Sequence, residues 1–315
     1  MLLQQLINDF LEYLEIEKNV SKLTVRNYRH YLMRFLGFLT RQSPASPAGG
    51  VTIGHVTAEN VRQFRLYLSR FIDEHNLPLK RVTQNYHLIA LRSFLKYANR
   101  RSIRTMAPET IELPKAESRS LKFLDREQIE RLLSMPELSQ PEGYRDKAIL
   151  EVLFSTGLRV SELVALNRDQ INLERREFGV IGKGKRVRVV FLSETAVKWL
   201  KDYLGKRTDA AKPLFVRYSG KKPREDDKTG ESLRLTARSV QRLVEKYVKK
   251  ARLPIKITPH GLRHSFATDL LSSGADLRAI QEMLGHKNVA TTQIYTHITN
   301  PQLRQIHERF HRKKT

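Results

Sequence analysis

The sequence predicts a mainly α protein in two domains, with one small β-hairpin in the second. Three observations carry that reading. Apolar residues recur at helical spacing through the first ~110 positions and again after Asp125. One stretch, "EFGVIGKGKRVRVVFLS" (177–193), places apolar residues on either side of a Gly-Lys-Gly-Lys turn, as a hairpin does. Between the helical regions lies "IELPKAESRSLK" (111–122), extended and of mixed charge, with Pro114, which reads as a linker. The expected division is a helical domain at 1–112, a linker at 113–122 and a second domain at 123–315.

The first domain reads as four helices. "LLQQLINDFLEYLEIEK" puts Leu3, Leu6, Ile7, Phe10 and Leu14 on one face. Ser21 can cap the next helix, whose apolar set is Val25, Tyr28, Leu32, Phe35, Leu36 and Leu39. "RQSPASPAGG" ends it as an exposed loop. Thr57 can cap a third helix carrying Val61, Phe64, Tyr67, Leu68 and Phe71. "RVTQNYHLIALRSFLKYANRR" is the fourth, with Leu88, Leu91, Phe94, Leu95 and Tyr97 inward. Its other face holds Arg81, Arg92, Lys96, Arg100 and Arg101, a solvated face or a surface that tracks phosphates.

The second domain opens on "DREQ" at Asp125, which has the form of a capping box. "YRDKAILEVLFSTGLRVSELVAL" gives two helices parted at Thr156-Gly157. In the hairpin, Val180-Ile181 and Val187, Val189 and Phe191 form the strands, and "LFVRY" (214–218) is a candidate further strand. "SGKKPREDDKTGESLRL" is polar and reads as a mobile excursion, after which helices resume at Thr236 and run to the end. The loops at 42–50 and 218–235 have no assigned role.

Charge narrows the function. The net charge is +24, with Lys and Arg spread along a folded chain, and such a protein meets a polyanion, usually nucleic acid. Apolar runs are short and broken by charge, so no membrane span is expected, and the amphipathic, acidic start lacks the form of a signal peptide. The absence of Cys excludes disulfides and thiolate zinc sites and fits a cytoplasmic protein.

The residues with chemistry concentrate late, in "TPHGLRHSFATDLLSSGADLRAIQEMLGHKNVATTQIYTHIT". His260 and Arg263, three apart, share a helix face, with His264 one position further round. Taken singly the pieces are ordinary. His260 reads as a helix cap and Arg263 as half of a surface ion pair. His286 follows a helix-ending Gly285, Tyr295 reads as packing, and Arg159 as the first residue of a helix after a Gly turn.

In order, "TGLRVSEL", the lysine-tipped hairpin, "HGLRH", "LGH" and "IYTH" resemble the tyrosine recombinase (phage-integrase) family, and most of all its Xer-type chromosome-dimer recombinases. The resemblance covers nearly the whole chain. It implies a helical, SAM-like core-binding domain followed by a catalytic domain, together a clamp on double-stranded DNA. It implies a site-specific recombinase that cuts DNA with a tyrosine, leaving a 3′-phosphotyrosyl link and a free 5′-hydroxyl.

Carried over position by position, Tyr295 matches the nucleophile. Arg159 and Arg263 match the two arginines, His260 the histidine that contacts the phosphate and takes part in proton transfer, and His286 the last hydrogen-bond donor. Lys183 matches the lysine that protonates the leaving 5′-oxygen, although Lys185 stands two residues on and both can reach DNA. Glu162 reads as a partner that orients the cationic side chains or as a surface helical glutamate, and His264 and His297 as packing or hydrogen-bonding groups. Cationic donors then surround the phosphate in place of a metal, and no cofactor is expected.

Family resemblance further implies a homo- or hetero-tetramer on paired sites, with a second recombinase or a DNA translocase as partners still open. "NPQLRQIHERFHRKKT" carries Leu303, Ile306 and Phe310 at helical spacing, a stripe that docks on a neighbouring protomer or on its own domain. Phage or mobile-element integration, type IB topoisomerase activity and non-catalytic DNA binding are the competing readings.

Overall fold

In the computed structural model the chain divides into two compact units, Met1–Ser118 and Arg119–Thr315. The structure describes residues 1–42, 50–74, 76–114, 122–182, 187–220 and 226–285. Among them helices dominate and the one sheet is two-stranded, the fold class expected.

The first unit is built from α1 (Leu3–Ile16), α2 (Lys22–Gln42), α3 (Ala58–Arg70) and α4 (Arg81–Arg100). The stripes read from the sequence are its core. Leu3, Leu6, Ile7, Phe10 and Leu14 are buried, as are Phe35, Phe64, Leu91 and Phe94. Phe10 meets Phe94 edge to face with centroids 5.7 Å apart, and Phe35 meets Phe64 at 4.9 Å, the tilted geometry aromatic pairs prefer. Local caps set the starts: the Thr57 hydroxyl accepts from the Asn60 backbone N–H at 3.2 Å, and Ser21 accepts from Thr24 at 3.3 Å. The basic face of α4 is less open than its sequence suggests. Arg101 pairs with Glu17 at 2.8 Å, Arg100 donates to the Tyr13 hydroxyl at 3.2 Å, and Lys96 lies 3.8 Å from Glu109. These pairs join α4 to α1 and to the turn after it.

The second unit wraps α6 (Pro141–Thr156), whose Ala148, Ile149, Leu150, Val152 and Leu153 are fully buried. The polar groups this helix takes inside are satisfied: Asp146 pairs with Arg145 and accepts from the Tyr247 hydroxyl at 2.9 Å, and Glu151 pairs with Lys147 at 2.8 Å. Around it stand α5 (Arg126–Leu133), α7 (Val160–Ala165), α8 (Glu194–Gly205), α9 (Ala237–Lys250), α10 (Pro259–Ser272) and α11 (Leu277–Leu284). Asp125 and Gln128 form the expected capping box on α5, each side chain accepting from the other's backbone N–H.

Strands β1 (Glu177–Ile181) and β2 (Val187–Phe191) pair antiparallel, with Phe178 opposite Val190 and Val180 opposite Arg188. That register turns Phe178, Val180 and Val190 into the core and leaves Ile181, Val187, Val189 and Phe191 exposed. Arg188 therefore belongs to the inward row.

Two expectations are corrected. "LFVRY" adds no strand. Its Leu214, Phe215 and Val216 are buried, but the segment makes only isolated bridges, Asn167 to Pro213 and Val216 to Arg234. Arg207 holds it instead, donating to the Pro213 and Leu214 carbonyls at 2.8 and 2.9 Å. The second half of the 218–235 excursion is a fixed turn rather than a mobile one. The Asp227 carboxylate accepts from the Glu231 and Ser232 backbone N–H groups at 2.9 and 2.8 Å, and Arg234 reaches the Val164 and Leu166 carbonyls. Residues 221–225, and 43–49 of the first loop, lie outside the described residues.

Candidate functional site

The site grows from the turn between α6 and α7. Gly157 ends α6 in the left-handed conformation, φ +59°, and a Cβ there would stand 2.5 Å from the Phe266 ring and 3.0 Å from Leu284. Glycine is needed twice, for the backbone and for the closeness of α10 and α11. Leu158, fully buried, anchors the turn, and Arg159 then caps α7 with its own backbone.

Glu162, one turn into α7, closes the cap. Its carboxylate accepts from the Arg159 backbone N–H at 2.9 Å and from the Arg159 guanidinium at 2.8 Å. It also takes both prongs of Arg188, at 3.0 and 2.8 Å. Four donors thus fill a carboxylate side chain only 5% exposed. Burial alone would raise its pKa. The Arg188 hydrogen bonds, then those from Arg159, outweigh it and hold the group at about 2. Glu162 is ionised at every working pH and is a buried partner of two arginines, which excludes the surface-glutamate reading.

Helix α10 contributes the next pair. Thr258, not His260, is its N-cap, with the Thr258 hydroxyl accepting from Gly261 N–H at 3.3 Å. Arg263 is not a surface ion-pair residue. It is 2% exposed and its guanidinium donates to the Gly157 carbonyl at 2.7 Å and the Leu284 carbonyl at 2.5 Å. Those bonds tie α10 to the turn before Arg159 and to the end of α11. His260 stands one helical turn earlier on the same face, exposed, its ring 4.2 Å from that of buried His264. Desolvation by its surroundings, then the positive charges of Arg263 and Arg159, lower its pKa, so the imidazole is neutral at pH 7 and able to accept a proton.

Helix α11 ends where these groups meet. Its last carbonyls, normally orphaned, are taken by arginines: Met283 by Arg188 Nε at 3.0 Å and Leu284 by Arg263. Gly285 caps the helix at φ +63°, with Arg188 against its Cα side. The chain continues from there into His286.

Arg159, His260, Arg263 and Glu162 are therefore brought together. Two guanidiniums beside a neutral imidazole suit an anionic group that shares its charge over two oxygens, such as a phosphodiester, and the transfer of one proton near it. Lys183, Lys185, His286, Tyr295 and His297 lie outside the described residues. Sequence reasoning missed Arg188. Its only local signal is the alternation of β2, which is blurred because Val187, Val189, Val190 and Phe191 supply apolar residues to both faces.

The profile of the phage integrase family matches residues 122–301, and that of the phage integrase N-terminal SAM-like domain matches residues 7–102. The chain is 33% identical over 316 residues to tyrosine recombinase XerD of Staphylococcus haemolyticus, spanning 98% of this chain and 99% of that one. It is 38% identical over 311 residues to tyrosine recombinase XerC of Pelotomaculum thermopropionicum, spanning 97% of each. Among solved structures, the crystal structure of XerA recombinase aligns with a TM-score of 0.51 at 28% identity over 99% of both chains. XerH site-specific recombinase bound to palindromic difH substrate, a post-cleavage complex, shares the fold, with a TM-score of 0.68 at 22% identity over 95% of this chain and 82% of the other.

Proposed function

Since the chain belongs to the phage integrase family, as a site-specific tyrosine recombinase of Xer type, we propose that it cuts and rejoins duplex DNA with Tyr295 as nucleophile. The observation that carries this reading is the convergence of Arg159, Arg263 and His260 around one turn, two fixed guanidiniums beside a neutral imidazole.

The Tyr295 phenolic oxygen attacks the scissile phosphorus. The bond from phosphorus to the 5′-oxygen breaks as the phosphotyrosyl bond forms. A free phenol has a pKa near 10, so its proton must be taken as attack proceeds, and His260 accepts it. Arg159 and Arg263 hold the non-bridging oxygens on which charge builds, with His286 as a further donor. Lys183 gives a proton to the departing 5′-oxygen. One phosphodiester is exchanged for another, so the reverse attack by a 5′-hydroxyl of a partner strand reseals the DNA without an added energy source. The protein then works as four protomers on two paired sites, alone or with a second recombinase, in the cytoplasm where chromosome or plasmid dimers arise. Among the described residues no helix is long and apolar enough to cross a membrane.

A nicked suicide substrate bearing the cognate site tests this. Wild type becomes covalently attached on a denaturing gel, at an unchanged rate in excess chelator. Tyr295→Phe binds the DNA and forms no adduct. Trapping of the Phe variant at the wild-type level would show that another residue is the nucleophile.

A further inference from the structure

We propose that Arg188 is a positioning residue for strand cleavage: it joins the carboxylate that aims Arg159 to the helix end from which His286 follows. The inference rests on the reading of Arg159 and His286 as site residues.

All three nitrogens of its guanidinium are engaged, two on one carboxylate and the third on a backbone carbonyl. Nη1 and Nη2 grip the two oxygens of Glu162, and Nε donates to the Met283 carbonyl. A guanidinium is planar and rigid, so the carboxylate on α7 and the last turn of α11 are held at a fixed separation. Lysine can neutralise Glu162 but cannot present two parallel bonds and a third at a set angle.

What lies at each end makes the link functional. Glu162 holds the Arg159 side chain by one bond and its backbone by another, so a shift of the carboxylate shifts that guanidinium. At the other end, Met283 and Leu284 are the last residues before Gly285, and Arg263 holds Leu284. Arg188 and Arg263 thus fix successive carbonyls of the turn that leads to His286. Arg188 is also on β2, five residues after Lys183 in the sequence. One side chain, 12% exposed, ties together α7 with its cap Arg159, strand β2 and the end of α11.

A purely structural ion pair would predict lost stability and nothing specific to the reaction. A positioning role predicts slow chemistry on bound DNA. Misplacing a reacting group by about 1 Å costs on the order of 10²-fold in rate, with little change in binding. It also predicts a changed pH profile. Glu162 is faced by Arg188 from β2 and Arg159 from the cap of α7. Without Arg188 its burial is opposed by one arginine only, its pKa climbs, and protonation frees Arg159 at mildly acidic pH.

The test uses the full chain on the nicked substrate, following adduct formation in single turnover at saturating protein, with melting and DNA binding measured alongside. Arg188→Ala is expected to bind DNA like wild type and to form adduct on the order of 10²-fold more slowly. It should show a loss of rate on acidification beyond the fall that wild type shows as His260 takes up a proton. Arg188→Lys should fall between. A folded Arg188→Ala within about twofold of the wild-type rate, or slowed with an unaltered pH profile, overturns the proposal. If the Ala variant does not fold, the Lys variant decides by the same two readings. Arg159→Ala and Tyr295→Phe serve as references. Full activity in either one defeats the underlying site reading, whatever Arg188 does.

Discussion

Arg188 and Glu162 meet fork to fork, Nη1 3.0 Å from Oε1 and Nη2 2.8 Å from Oε2, with the carboxylate almost wholly buried. Removing Glu162 would leave Arg188 without its carboxylate partner, whereas removing Arg188 leaves Glu162 still held by Arg159. Breaking a buried pair from one side typically costs about 3–5 kcal/mol, a cost of the stranded charge rather than the net worth of the contact.

Glu162 should make stability depend on pH in a defined direction. Its folded pKa is lowered from 4.5 to about 2, so its stabilisation is full above the unfolded value and is lost as pH falls toward 2. Glu162→Gln is expected to lower the unfolding free energy at pH 7 by roughly 3 kcal/mol. Its deficit relative to wild type should be constant from pH 7 to 5 and shrink between pH 4.5 and 2. Denaturant melts of both proteins across that range check this. A deficit unchanged at pH 3 would mean that the ionised carboxylate is not its source.

Gly157 is expected to tolerate no side chain. Gly157→Ala forces alanine into the left-handed region and drives a methyl toward Phe266 and Leu284. The combined cost is about 2–4 kcal/mol, from backbone strain and overpacking. The Gly157 carbonyl also accepts from Arg263, so adduct formation should fall with stability. Gly205→Ala is the contrast: a Cβ there meets nothing within 4 Å, and the change should be neutral or stabilise by about 0.5 kcal/mol. Thermal melts of the two variants, side by side, separate a specific steric demand from a general glycine effect.

The hairpin lysines can be told apart by leaving group. Loss of a general acid costs on the order of 10²–10⁴-fold in rate. A substrate whose 5′-bridging oxygen is replaced by sulfur needs no proton on departure. Lys183→Ala should cleave it at close to the wild-type rate, while Lys185→Ala should show little rescue because little chemistry was lost. Rescue that follows Lys185 exchanges the two roles.

DNA affinity should fall log-linearly with salt, since phosphate contacts release counterions. Residues 1–112 alone should retain weak, salt-sensitive binding through the face that includes Arg92 and Lys96, with Lys96, Arg100 and Arg101 each contributing less because Glu109, Tyr13 and Glu17 already engage them. A flat salt response of the full chain would refute phosphate-dominated binding.

The sequence by itself determined the first unit's helices, the capping box at Asp125 and the identity of Arg159, His260 and Arg263 as site candidates. Helical periodicity and caps depend on neighbours three or four residues away and are readable locally, whereas the three site candidates stood out only through the ordered set of motifs and the family it resembles. Only the tertiary structure decided that Arg263 is interior, because its partner Gly157 is 106 positions away. It alone showed that Glu162 is a buried hub and that Arg188 completes it, reaching across 26 positions to that carboxylate and 95 to Met283. The register of β1 and β2 chose which apolar row faces inward, a choice the nearly continuous apolar run of β2 leaves open until the sheet packs.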